Sequence, residues 1–173
     1  MRIFATALSA TALSVSAVAL VGSAMLPDPA SAADAVKRTV PYYASISATR
    51  ARMRTGPART YPASWLYQRQ DLPIKVVAIF KEWRKVADPD GTEGWMQANL
   101  LSGTRTAVVR GSVPVDLREK PNAGSRLLWR AAPGVVGRLS QCGNGWCRMD
   151  VKGQAGFVEI GGLWGVEADE TLP

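Results

Sequence analysis

Residues 83–95, Trp-Arg-Lys-Val-Ala-Asp-Pro-Asp-Gly-Thr-Glu-Gly-Trp, read as two short β-rich runs on either side of a tight turn. Trp83 to Ala87 and Glu93 to Met96 are the runs. Asp88-Pro89-Asp90-Gly91 holds the residues that turns favour, because Pro presets φ, Asp bonds to its own backbone and Gly accepts positive φ. Just upstream, Lys81-Glu82 makes a tight connection from Phe80 to Trp83, so Ile74 to Phe80 joins as a third strand. Ser45 to Ala48 and Ser64 to Tyr67 complete an expected five-strand meander. No stretch after residue 32 carries the 3.6-residue apolar period of an amphipathic helix, so the fold class is all-β.

The second half of the chain repeats these landmarks. Met53-Arg54-Thr55-Gly56-Pro57 is echoed by Leu117-Arg118-Glu119-Lys120-Pro121, and Leu72-Pro73 by Ala132-Pro133-Gly134-Val135-Val136. Trp83-Arg84-Lys85-Val86, Gly94-Trp95 and Leu100 are echoed by Trp146-Cys147-Arg148-Met149, Gly156-Phe157 and Leu163. The spacings stay between 60 and 64 residues, as expected for a duplicated unit. The expected domains are residues 43–103 and 107–167. Ser102-Gly103-Thr104-Arg105-Thr106 is a short connector without a Pro-rich spacer, so the two units are expected to touch or to be held at a restricted angle. Each unit is small enough for its core to be marginal, which explains the recurrence of Trp83, Trp95, Trp146 and Phe157: large rings supply much buried area per residue. Closing such short strands into a small barrel removes exposed sheet edges.

With these residues in place the chain resembles the bacterial SH3-like domain family in an exported two-copy form. The first copy has Arg52-Met53-Arg54-Thr55-Gly56-Pro57, Tyr61-Pro62, Trp65, Tyr67, Leu72-Pro73, Trp83-Arg84-Lys85-Val86, Gly91-Thr92-Glu93-Gly94-Trp95 and Leu100 to Ala107. The second has Ala132 to Val136, Gly145-Trp146-Cys147-Arg148, Gly156-Phe157-Val158 and Leu163-Trp164-Gly165-Val166. Two positions depart from the family pattern: Asp71 stands where a Gly is usual and Phe157 where a Trp is usual. The resemblance implies two tandem small SH3-like β-barrels, export to the cell envelope and a non-enzymatic role in binding peptidoglycan or envelope proteins.

Residues 1–32 have the layout of a Sec-type signal peptide. Met1-Arg2 is a short basic start, Ile3 to Met25 is uncharged and Ala/Leu/Val-rich, and Ala30-Ser31-Ala32 supplies the small residues a signal peptidase reads. Cleavage is expected after Ala32, giving a periplasmic or secreted protein with no stable membrane span after cleavage. An uncleaved anchor is the alternative. In an oxidising compartment Cys142 and Cys147, separated by Gly-Asn-Gly-Trp, are expected to form a disulfide across a hairpin.

Composition limits the chemistry. The 173 residues contain 21 Lys+Arg, 14 Asp+Glu and no His, for a net charge of +7. Without imidazole there is no Ser-His or Cys-His nucleophile pair and no His metal ligand. Asp88, Asp90 and Glu93 cluster, but Asp-Pro-Asp-Gly is ordinary turn chemistry, and Asn99 stands where a calcium loop needs its twelfth ligand. No metal, no cofactor, no nucleic-acid partner and no catalytic residue are expected. Arg50, Arg52 and Arg54 alternate along an extended stretch with Arg59 nearby, and with Tyr61, Trp65 and Tyr67 they form the candidate ligand-binding groove. The plain alternative is a solvated strand face beside core aromatics.

The expected function is that of a non-catalytic exported binding module recognising peptidoglycan or an acidic cell-envelope partner. A structural or adaptor protein that binds an envelope protein is the alternative, with an enzyme a distant third. The sequence leaves the oligomeric state open.

Overall fold

The structure, a computed structural model, describes residues 38–173; the signal-peptide reading of residues 1–32 lies outside the described residues. Among the described residues no helix is long and apolar enough to cross a membrane. The first unit contains β1 (Tyr42–Ile46), β2 (Ala51–Arg54), β3 (Ala63–Tyr67), β4 (Pro73–Phe80), β5 (Trp83–Ala87), β6 (Glu93–Gln97) and β7 (Leu101–Ser102). The second contains β8 (Thr106–Val109), β9 (Val115–Arg118), β10 (Leu127–Ala131), β11 (Val136–Gly143), β12 (Trp146–Val151), β13 (Gln154–Glu159) and β14 (Leu163–Trp164). A single 3₁₀ turn precedes β7 and another precedes β14.

The two antiparallel sheets have the same order. One runs β3-β2-β6-β5-β4-β1-β7 and the other β10-β9-β13-β12-β11-β8-β14. Only β4-β5-β6 and its counterpart β11-β12-β13 form the expected meander. β2, which carries Arg52 and Arg54, is a strand in its own right and inserts between β3 and β6, so the connectivity is not that of a five-strand meander. β2 escapes a reading by apolar runs because it contributes only Ala51 and Met53 to the core, while its outward positions are arginines.

Register corrects the repeat alignment. Ser45 and Ile46 pair with Pro73 and with Leu101, whereas Val108 and Val109 occupy the corresponding places beside Val136 and Leu163. Pro73 therefore corresponds to Val136, not to Pro133, and Leu101 rather than Leu100 corresponds to Leu163. Asp71 then falls opposite Gly134, and both adopt positive φ, 60° and 80°. The hydrogen bonds match as well. Asp71 N–H donates to Ile46 O (2.8 Å) and Gly134 N–H to Val109 O (2.9 Å). This left-handed conformation accounts for the family's usual Gly, and Asp is among the side chains that tolerate it best.

Each sheet encloses its own core. Ala44, Ile46, Ala51, Met53, Ile74, Val76, Val86 and Met96 fill the first; Val109, Leu117, Leu139, Cys142, Cys147, Met149, Val158 and Leu163 are central to the second. The duplicates trade volume between facing strands. Ile74 and Val86 of β4 and β5 are replaced by Gly137 and Met149 of β11 and β12, and a Cβ on Gly137 would lie 2.6 Å from the Met149 side chain. A large-plus-small pair fills the space of two medium residues, as close packing requires. The repeated Gly94 and Gly156 have a related cause. A Cβ on Gly94 would lie 2.9 Å from Arg54 O, and one on Gly156 3.0 Å from the Leu117 carbonyl carbon, so each glycine lets the neighbouring strand cross closely.

Cys142 and Cys147 are joined by a disulfide across the β11–β12 hairpin, where they are register partners. The chain end is drawn in beside it, since Leu172 forms an isolated bridge with Cys142. Because the closed loop is short, Cys142→Ser with Cys147→Ser is expected to cost about 2 kcal/mol on the chain-entropy estimate, measured by urea denaturation against the oxidised parent. No loss on replacement would mean that the hairpin is held by its ladder alone.

The two units make direct contacts, as the short connector implies. Lys75 Nζ pairs with Glu167 (2.9 Å), Arg138 donates to Asp71 Oδ2 from Nη2 (3.0 Å) and Nε (3.2 Å), and Arg69 donates to Gly134 O (3.0 Å). The Tyr43 and Trp164 rings meet edge to face at 5.3 Å. Asp71, one of the two residues that depart from the family pattern, is thus among those that bind the other barrel.

Candidate functional site

The side chains of Arg50, Arg52, Arg54 and Arg59 surround a groove of about 470 Å³ whose remaining lining is Leu66, Trp83, Gln97 and Leu100. Strand alternation explains the convergence. Ala51 and Met53 are buried, so Arg50, Arg52 and Arg54 turn to the opposite face. No carboxylate lines the groove, and among the described residues none pairs with these four arginines. Arg54 is partly committed elsewhere, because its Nη1 donates to Tyr61 O (2.6 Å) and ties the loop between β2 and β3 to the strand.

The aromatic residues expected beside the arginines are placed elsewhere. Register shows why: Tyr67 pairs with Ala51, Leu66 with Arg52 and Trp65 with Met53. Cross-strand partners share a face, so Leu66 joins the arginines while Trp65 and Tyr67 lie on the face of the buried Ala51 and Met53. Trp65 remains 57% exposed because β3 is the sheet edge. Tyr61 lies over Gly56, where a Cβ would come within 2.5 Å of its ring. The groove's apolar floor comes instead from Leu66, Trp83 and Leu100. Trp83, read from sequence as a core residue, is buried yet forms part of this wall, and its indole N–H donates to Glu82 (3.2 Å). Trp129, the exposed counterpart of Trp65 on β10, also went unnoticed; its register with Leu117 is the signal that pairs it with Trp65 opposite Met53.

Tyr67 has a structural task. Its hydroxyl donates to Asp88 Oδ2 (2.7 Å), while Asp88 Oδ1 accepts from the backbone N–H groups of Asp90 (3.0 Å) and Thr92 (2.8 Å). Glu93 pairs with Lys85 (2.6 Å). The Asp88 and Glu93 carboxylates are therefore spent on a turn and an ion pair. Burial, then the hydrogen bond to Asp88, holds the Tyr67 phenol well above its ordinary value of 10.0. The folded chain keeps a proton that the unfolded chain releases, so this contribution to stability is complete below about pH 10 and falls as pH rises beyond it. Tyr67→Phe is expected to cost about 1.5 kcal/mol at neutral pH, because it leaves the buried Asp88 short of a donor, and to flatten the alkaline loss. Urea melts at neutral and alkaline pH measure both; an unchanged midpoint would contradict the role.

The second barrel has a concavity at the corresponding place, about 270 Å³, lined by residues that include Asp116, Arg118, Ala123, Trp146, Glu159 and Gly162. Arg118 repeats the loop contact of Arg54, donating from Nη1 to Ser125 O (2.8 Å). The charges differ. Asp116 stands where Arg52 does, and its two oxygens accept from Arg118 Nη2 (2.7 Å) and Arg130 Nε (3.0 Å).

Comparison with known proteins agrees with this duplicated geometry. The family model for the bacterial SH3 domain matches twice, over residues 47–103 and 111–165. Such domains commonly bind cell-wall components and occur in extracellular proteins. Among solved structures, NlpC2 and NlpC1 from Trichomonas vaginalis are each 9% identical over 73% of this chain, with TM-scores of 0.34 and 0.33. The chain spans 49% and 46% of those proteins, about half their length, and a likeness that distant carries no argument. No curated protein matches. The two family matches cover most of the described residues and fall on two sheets of identical strand order, and on that basis the chain belongs to the bacterial SH3 domain family.

Proposed function

We propose that the protein is a non-catalytic, exported binding module that captures an acidic component of the cell envelope, peptidoglycan or a protein, through the arginine groove of its first barrel. The observation that carries this reading is the convergence of Arg50, Arg52, Arg54 and Arg59 on one groove with no carboxylate in its lining. Guanidiniums offer planar forks of donors that match carboxylate and phosphate oxygens, and an apolar floor of Leu66, Trp83 and Leu100 gives the ligand's carbon skeleton a surface to lie on. The disulfide supports export, because such bonds persist in oxidising compartments. The mature chain, residues 33–173, incubated with purified sacculi is expected to sediment with them at low salt and to be released at high salt. Absence of sedimentation at low salt would exclude the peptidoglycan form of the proposal.

An adaptor that binds an envelope protein is the second reading. It is favoured by the edge strands β3 and β10, which leave the equivalent residues Trp65 and Trp129 57% and 45% exposed. Exposed tryptophans are suited to anchoring a protein partner. Partner capture that is lost on Trp65→Ser with Trp129→Ser but survives reversal of the groove arginines would select it.

A further inference from the structure

The duplicated grooves differ in a way that bears on what the first one holds. Arg52 and Arg54 occupy alternate positions of β2, spaced by about 7 Å, and Arg50 in the bend just before the strand extends the row. A single carboxylate engages at most one end of such a row. A chain molecule with an anionic group at each repeat engages all of it. In the second barrel the row is broken: Pro114 stands in place of Arg50, Asp116 replaces the central arginine and neutralises both Arg118 and Arg130, Ala123 replaces Arg59, and Glu159 replaces Gln97.

We infer that the protein holds one linear polyanion per molecule, laid along β2 in the first barrel, and that Asp116 and Glu159 bar the same ligand from the second. The inference rests on the proposed function and narrows its ligand to a polymer with repeating charge. Export of a disulfide-bonded chain favours a polymer of the envelope over nucleic acid as the occupant. Each guanidinium engages one anionic group, Trp83 and Leu66 back the polymer's carbon atoms, and Arg54 takes part with the donors not used on Tyr61 O.

The test uses a short linear polyphosphate that spans the row, orthophosphate and a duplex DNA of similar length, with calorimetric titration of the parent and two variants. The parent is expected to bind one polyphosphate, with log K falling against log salt at a slope of about −2 for three displaced counterions. Orthophosphate is expected to bind at least about a hundredfold more weakly, since the advantage comes from linked contacts. Arg50→Glu with Arg52→Glu and Arg59→Glu removes the site. Pro114→Arg with Asp116→Arg, Ala123→Arg and Glu159→Gln is expected to raise the stoichiometry from one to two, a gain that loss of folding cannot imitate. Equal affinity for orthophosphate, two sites in the parent, tighter binding of DNA than of polyphosphate, or no second site in the Asp116 variant would each overturn the inference. Sacculus sedimentation run alongside separates the two readings. Sacculi bound without polyphosphate binding would leave the envelope module standing and remove the polymer, whereas failure of both would remove both.

Discussion

Arg50→Glu with Arg52→Glu and Arg59→Glu is expected to weaken binding to purified cell walls by at least about a hundredfold while leaving thermal stability nearly unchanged. All three side chains are exposed, and none has an ion-pair partner among the described residues, so their replacement removes no contact that the fold uses. Each charged hydrogen bond is worth about 1.5 kcal/mol, and each 1.4 kcal/mol is tenfold in affinity, so loss of only two contacts already gives the stated factor. Arg54 is left in place because its bond to Tyr61 O holds the β2–β3 loop, and its removal would mix loss of ligand contact with loss of shape. Sedimentation isotherms on sacculi measure the effect. Retention within tenfold of the parent would place the binding surface elsewhere, with the Trp65 and Trp129 edges the next to be tested.

The largest effect on stability is expected for Arg105→Ala, about 3 kcal/mol by urea denaturation. Arg105 lies at the join of the two barrels and the chain end. Its Nε donates to Glu170 Oε1 (2.9 Å) and its Nη2 to Glu170 Oε2 (2.6 Å) and to Gly165 O (3.0 Å). The guanidinium also stands over the Tyr43 ring of the first barrel, 5.3 Å from its centroid. The two side chains of the pair are only 18% and 15% exposed. Truncation therefore strands the Glu170 carboxylate in a mostly dry site, which costs more than the pair is worth over an apolar substitute. Arg105→Met with Glu170→Leu should accordingly recover much of the loss. A cost below about 1 kcal/mol for the single variant would mean that water reaches Glu170 readily and that the chain end is not latched.

The fold was legible because its signals are local and doubled. The Asp-Pro-Asp-Gly turn, the disulfide hairpin at Cys142–Cys147 and the Gly94/Gly156 pair each follow from backbone conformation or close packing, and the repeat showed the glycine in a second setting. β2 was harder to see as a strand, because half of its residues are arginines and one of its pairing partners, β6, is far from it in sequence. The repeat alignment was legible only to within a few residues. Pro73 and Pro133 look equivalent as letters, yet hydrogen bonding makes Val136 the counterpart of Pro73 and Gly134 the counterpart of Asp71.

For the candidate site the division is sharper. Alternation along residues 50–54 was enough to put three arginines on one face, since period two is a property of the extended chain itself. Which residues of β3 share that face depends on register, and register is set by pairing between strands. A shift of one position exchanges Leu66 for Trp65 and Tyr67, and the tertiary pairing chose Leu66. The sequence by itself determined the all-β class, the duplication, the cysteine pair and the arginine row, all of which rest on short-range chemistry. Only the tertiary structure decided that the row closes over Trp83 and Leu66, that Asp71 reaches across to the second barrel, and that Asp116 neutralises the matching groove. Those facts depend on groups brought together from distant parts of the chain, where spacing along the sequence carries no geometric information.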